Sequence, residues 1–246
     1  KDITGWVYTN RIQFYDLWKN VKGKRVFVST ENPDIQVQGF SADKQFFVAL
    51  NNLSDTPQKI ELEIAALASS IKDIKVKSLT VYKDDFPRYY EDVISRIPTV
   101  FAIDASETMV IEFNLKNTIP FKNQVKVNRF YSKNYLLPIS ANQEITFEFN
   151  NIELGVGLAT LSMSLGRGHD LSKTPKVFVN GEKVEIPLNW KGYDQANRKK
   201  FFGAIEIPIP MDLIKENNKV NITFPDSGGH VSSLILNLEK IVNPSN

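Results

Sequence analysis

Only once does the chain place apolar residues at helical spacing, ahead of Gly23. Ile12, Phe14, Tyr15, Leu17, Trp18 and Val21 fall largely on one side of a helix that Thr9 or Asn10 can cap. Lys19 and Lys22 occupy its last turn, and Gly23 can end it in a left-handed conformation. So apolar a face on so short a helix must cover a sheet or a neighbouring domain.

After Gly23 the period is two. Alternation predicts strands over 24–30, 35–40, 45–50, 58–67, 74–83, 100–102 and 109–115, with a turn at 51–57 and an irregular insertion over 84–96. The pattern lapses around 118–124, where Pro120, Lys122 and Asn123 suit a short linker. A second set of strands follows at 125–131, 144–149, 159–165, 177–179, 184–186, 201–207, 219–224 and 234–241. Asn180-Gly181 predicts a type I′ hairpin, and the segment from Pro210 to Lys215 one helical turn. The reading is all-β: two consecutive jelly-roll-like β-sandwich domains, 24–119 and 124–246, preceded by one amphipathic helix within 1–23.

Composition narrows the function classes. At 246 residues with 42% hydrophobic and 24% charged content, the chain can bury a sizeable core. A net charge of +2 gives no electrostatic reason to expect nucleic acid or an anionic membrane. No apolar run is long enough to span a bilayer as a helix, and the first residues do not read as a signal peptide. Without an initiator methionine ahead of Lys1, the chain reads as a processed product or an excised piece. Zero cysteines excludes disulfides, thiolate nucleophiles and cysteine-bound zinc.

Both histidines lie in glycine-rich polar motifs, Gly166-Arg167-Gly168-His169-Asp170 and Phe224-Pro225-Asp226-Ser227-Gly228-Gly229-His230-Val231-Ser232-Ser233. Three readings fit these loops. Arg167, with glycine amides, can hold a sulfate or carboxylate. Asp170 and Asp226, with backbone carbonyls, can hold a structural calcium ion. Or the histidines and glycines only build turns. A Ser227-His230-Asp170 triad lacks the strand-turn-helix elbow that exposes a serine nucleophile. The acids read as solvated strand faces, Glu61 with Glu63 and Glu144 with Glu148, rather than as the paired carboxyls of a glycosidase. The loop from Asn189 to Lys200 carries Trp190, Tyr193 and Arg198, where aromatic rings suit the C–H faces of sugars and polar groups their hydroxyls. The loop around Phe86, Tyr89 and Tyr90 reads as packing, as do Trp6 and Tyr8.

The order of elements from Val177 through Asn180-Gly181 to Phe224 resembles the galactose-binding-like jelly roll found beside many polysaccharide-degrading enzymes. Trp18-x-x-Val21-x-Gly23-Lys24-Arg25-Val26, Asp34-Ile35-Gln36-Val37 and Asn51-Asn52-Leu53-Ser54 resemble the region that follows the catalytic barrel in glycoside hydrolase family 86, the β-agarases and β-porphyranases. The two histidine motifs resemble that family's C-terminal sandwich. The resemblance implies that the opening helix belongs to or packs on a covalently linked catalytic barrel, that the catalytic carboxylates lie outside this chain, and that the parent enzyme is secreted or held at the cell surface. It implies a non-catalytic module binding porphyran or agarose through Trp190, Tyr193, Arg198, Arg167, His169, His230 and Asp226. The alternative is a module that only buttresses the barrel.

Overall fold

The computed structural model describes residues 11–81, 87–98, 100–167, 172–187 and 203–242, and divides into two compact units, 11–124 and 125–242. The first unit holds helix α1 (Arg11–Trp18), then β1 (Lys24–Val26), β2 (Ile35–Ala42), β3 (Gln45–Asn52), β4 (Gln58–Glu61), the short α2 (Ala65–Ala68), β5 (Ile71–Thr80), β6 (Arg88–Ile94), β7 (Val100–Ile103) and β8 (Glu107–Leu115). β1-β2-β3-β8-β5-β6 form one antiparallel sheet, and β4 and β7 form a second.

Ile60 and Ile103 of the small sheet and Phe46, Val48, Leu50, Ile111 and Phe113 of the large one share a single buried core. The opposite side of the large sheet is covered by α1, whose Leu17 packs with Ala49, Leu79 and Val110. This explains why β3 reads as a continuous apolar run: both of its faces are buried. Lys77, 2% exposed, points to the same side and donates from Nζ to the Asp16 carbonyl of α1 at 3.1 Å. Burial pushes its ammonium below the ordinary lysine value.

Three expectations in this unit are corrected. The helix closes at Trp18, because Val21 N–H turns back to the Trp18 carbonyl in a tighter bond that seats Val21 against the Leu17 cluster. The alternation expected over 58–67 stops at Glu61, and the alanine-rich run that follows coils into α2. Within the expected irregular insertion, Arg88–Ile94 is a strand that pairs with β5, Tyr89 opposite Leu79 and Glu91 opposite Lys77.

The second unit holds β9 (Gln124–Tyr131, its first residue the last of unit one), β10 (Leu137–Pro138), β11 (Glu144–Phe149), β12 (Gly157–Gly166), β13 (Lys176–Val179), β14 (Glu182–Val184), β15 (Gly203–Ile209), a 3-10 turn (Met211–Leu213), β16 (Asn218–Thr223) and β17 (His230–Val242). One sheet runs β15-β12-β17-β9, with β10 beside β17; the other runs β11-β16-β13-β14. The facing sides meet in one core of Phe147, Phe149, Leu161, Met163, Val177, Ile222, Leu236 and their neighbours. Asn180 and Gly181 both have positive φ, +54° and +92°, between Val179 and its partner Glu182, as a type I′ turn requires.

Candidate functional site

The two histidine motifs meet. β12 ends at Gly166, directly opposite His230 at the start of β17, and His230 is also opposite Pro138 of β10. Contact here is close because Gly229 carries no side chain. Its φ is +81°, and a Cβ there would lie 2.0 Å from the Gly166 carbonyl oxygen. Gly228 N–H donates to the Ile139 carbonyl at 2.9 Å, and Ile139 N–H returns a bond to Gly229 at 3.0 Å.

Arg167 is the anchor of this junction. Its side chain is fully buried, with Nη2 at 3.0 Å from Asp226 Oδ2. The same nitrogen donates to the carbonyls of Asp226 and Ser227, both at 3.3 Å. The guanidinium also sits 4.9 Å from the centre of the Phe224 ring. Asp226 Oδ2 takes a further bond from Lys173 N–H at 3.2 Å, so one carboxylate engages both Arg167 and Lys173. Burial draws the guanidinium below its ordinary value and Asp226 opposes that shift, so the group stays a cation.

The anion that Arg167 holds is therefore Asp226 of its own unit, and a side chain this buried presents no fork to an external sulfate. Asp226 is engaged with a cation and an amide. Among the described residues no cluster of three acidic or histidine side chains could ring a metal ion. His230 is exposed at the rim of the junction. His169, Asp170, Trp190, Tyr193 and Arg198 lie outside the described residues, as do Phe86, Trp6 and Tyr8.

A second concave feature was not foreseen. In unit one, a cleft of about 580 Å³ opens beside α2, with Glu61, Glu63 and Arg96 among its walls and Ile71, Ile74 and Ile97 in its apolar lining. Sequence periodicity had Glu61 and Glu63 on a plain solvated face. Two stretches of the chain, 61–74 and 95–97, build this cleft, and only the fold brings the second against the first.

The described residues thus form two β-sandwich units, one after the other in the chain, and the second carries the buried Arg167–Asp226 pair. Residues 34–137 match the family described as porphyranase β-sandwich domain 1, and residues 146–239 match the beta porphyranase A C-terminal family. The chain is thus homologous to the C-terminal accessory region of family 86 glycoside hydrolases. It is 42% identical over 238 residues to beta-porphyranase A of Phocaeicola plebeius, covering 96% of this chain and 33% of that protein. It is 41% identical over 234 residues to a funoran endo-beta-hydrolase of Wenyingzhuangia aestuarii, covering 94% and 32%. The chain thus spans about a third of the length of these curated relatives. Among solved structures it is similar to a family 86 beta-porphyranase from the human gut bacterium Bacteroides plebeius, with a TM-score of 0.75 at 42% identity over 96% of this chain and 42% of that one. It is also similar to a family 86 protein crystallised with neoagarooctaose, with a TM-score of 0.76 at 34% identity over 97% of this chain and 39% of that one.

Proposed function

We propose that this region is a non-catalytic carbohydrate-binding module of a secreted polysaccharide-degrading enzyme, and that its ligand is a red-algal galactan, porphyran or agarose. The observation that carries the reading is where the homology falls. The chain aligns nearly end to end with a beta-porphyranase A and a funoran endo-beta-hydrolase, yet covers only about a third of their length, the third that holds the two matched domains. Contact is assigned to Trp190, Tyr193 and Arg198 in the loop that the sequence predicts over 189–200, with the exposed His230 as a further candidate. Arg167 acts indirectly, by holding Asp226 and hence the loop that carries His230. Affinity electrophoresis in gels containing porphyran or agarose tests the reading: retardation supports it, and unchanged migration in both overturns it. Retardation that survives Trp190→Ala moves the contact away from that loop.

The exposed side of α1 favours a second reading. Ile12, Phe14 and Tyr15 are 40%, 54% and 67% exposed, an apolar surface suited to another domain of a larger protein. On that reading the sandwiches buttress a catalytic barrel and hold no sugar.

A further inference from the structure

We infer that α1 is a hinged strap, resting on the large sheet of unit one over a buried lysine that forms no ion pair, and that it lifts from the sheet without unfolding the strands beneath. The inference concerns unit one alone and stands apart from both readings above. α1 has eight residues, about two turns. A helix this short does not hold its shape in water unaided. It has no acid in its first turn and no base in its last, so no charge there offsets its dipole. Leu17 is its fully buried anchor, helped by the half-buried Trp18 and Val21. The chain passes to β1 through Gly23, φ +97°, where a Cβ would lie 2.1 Å from the Ser41 carbonyl oxygen. That close seat fixes the pivot of the strap.

The lysine is Lys77. It shares one face of β5 with Leu79, which packs with Leu17, so the lysine lies beneath α1. Its Nζ donates to the Asp16 carbonyl, a dipole that does not neutralise an ammonium. Three carboxylates lie around it, and each is engaged elsewhere. Glu91 of β6, opposite Lys77 in register, is held by Lys75 and by the Tyr89 hydroxyl. Glu112 of β8, on the face of Val110, accepts from Gln45 Nε2 at 2.7 Å. Asp16 of α1 pairs with Lys19 at 2.9 Å. Burial outweighs the pull of Glu91 on the Lys77 ammonium, as expected of a cation short of compensation. A buried charge without a counter-ion is costly, and lifting α1 returns it to water. The strands beneath have no such release, because β3 is bonded to β2 and β8, and β8 to β3 and β5. Once lifted, Leu17, Trp18 and Val21 join the exposed Ile12, Phe14 and Tyr15, and the segment is free to pass to another apolar surface.

The test is amide hydrogen exchange of the full chain, wild type and Lys77→Met, read over residues 12–21 and compared with β3, β8 and, in unit two, β12. In wild type the amides of α1 are expected to exchange about 100-fold faster than those of β3 and β8, because the strap opens by itself. Methionine matches the length of the lysine stem without its charge, so Lys77→Met should slow exchange in α1 about tenfold and leave β12 unchanged. Wild-type α1 amides that exchange no faster than those of β3 and β8 overturn the strap, since the helix then opens only when the whole unit unfolds. Exchange in α1 that is unchanged or faster in Lys77→Met also overturns it, since the bond to the Asp16 carbonyl then holds the helix more than the buried charge loosens it. The wild-type comparison decides alone if Lys77→Met does not fold.

Discussion

Arg167 and Asp226, 59 positions apart in the chain, form a 3.0 Å ion pair in which the arginine side chain is wholly buried and the aspartate 17% exposed. Removing one partner leaves the other desolvated and unmatched, the costly way to break such a pair. Arg167→Ala is expected to destabilise the second unit by about 3 kcal/mol. Arg167→Lys should recover little, because a single ammonium cannot reproduce the planar contacts to Asp226, two carbonyls and the Phe224 ring. Replacing both partners with apolar residues should cost less than Arg167→Ala alone. Thermal unfolding of these variants and of the single Asp226 variant checks this order, and a double-variant loss equal to the sum of the two single losses would refute the coupling.

Gly229 and Gly181 separate two reasons for a glycine. Both have positive φ, but a Cβ at Gly229 would meet the Gly166 carbonyl at 2.0 Å, whereas one at Gly181 meets nothing within 4 Å. Gly181→Ala carries the backbone penalty alone, about 1 kcal/mol. Gly229→Ala adds a backbone collision and forces the two loops apart, at about 3 kcal/mol or more. Urea unfolding of the two variants side by side measures the gap. Equal midpoints would mean that the junction yields freely.

Asn180-Gly181 was legible in the sequence because a hairpin turn is encoded by the residues that form it. The two sandwiches were legible as a class because period-two runs, turn residues and a single helical stretch each carry their signal within a few positions. β6 was not legible. It is an edge strand bonded to β5 on one side, so Tyr90, Glu91, Asp92 and Val93 stay exposed and the alternation that marks a half-buried strand never appears. The Arg167–Asp226 pair was hidden for another reason. Both residues were singled out as polar loop residues, but which anion an arginine holds depends on contacts across 59 positions of sequence.

Glu91 supplies a pH dependence. The Lys75 ammonium, and the Tyr89 hydroxyl donating to Glu91 Oε2 at 2.6 Å, hold its carboxyl at about 2, below the ordinary 4.5. A carboxylate depressed in the folded state stabilises it fully above the unfolded value, and that share is lost as pH falls from 4.5 towards 2. The group is largely exposed and screened, so the share is about 0.5 kcal/mol. Glu91→Gln should therefore be less stable than wild type at pH 7, and the difference should fade as the pH approaches 2. A difference that stays constant across that range would assign the effect to packing.

The face of α1 decides between a binding module and a buttress. Leu17, 0% exposed, fixes the helix to the sheet, whereas Phe14 and Tyr15, 54% and 67% exposed, contribute little to that packing. Leu17→Ala should cost about 3 kcal/mol by leaving a cavity over Ala49 and Val110. Replacing Phe14 and Tyr15 together with serine should change stability by less than about 1 kcal/mol. On the buttress reading those rings normally lie against another domain. The isolated chain then pairs through them, and the serine variant sediments as a smaller species at the same concentration. If wild type and variant both sediment as monomers at high concentration, the face needs no partner, and the buttress reading loses the observation that favours it.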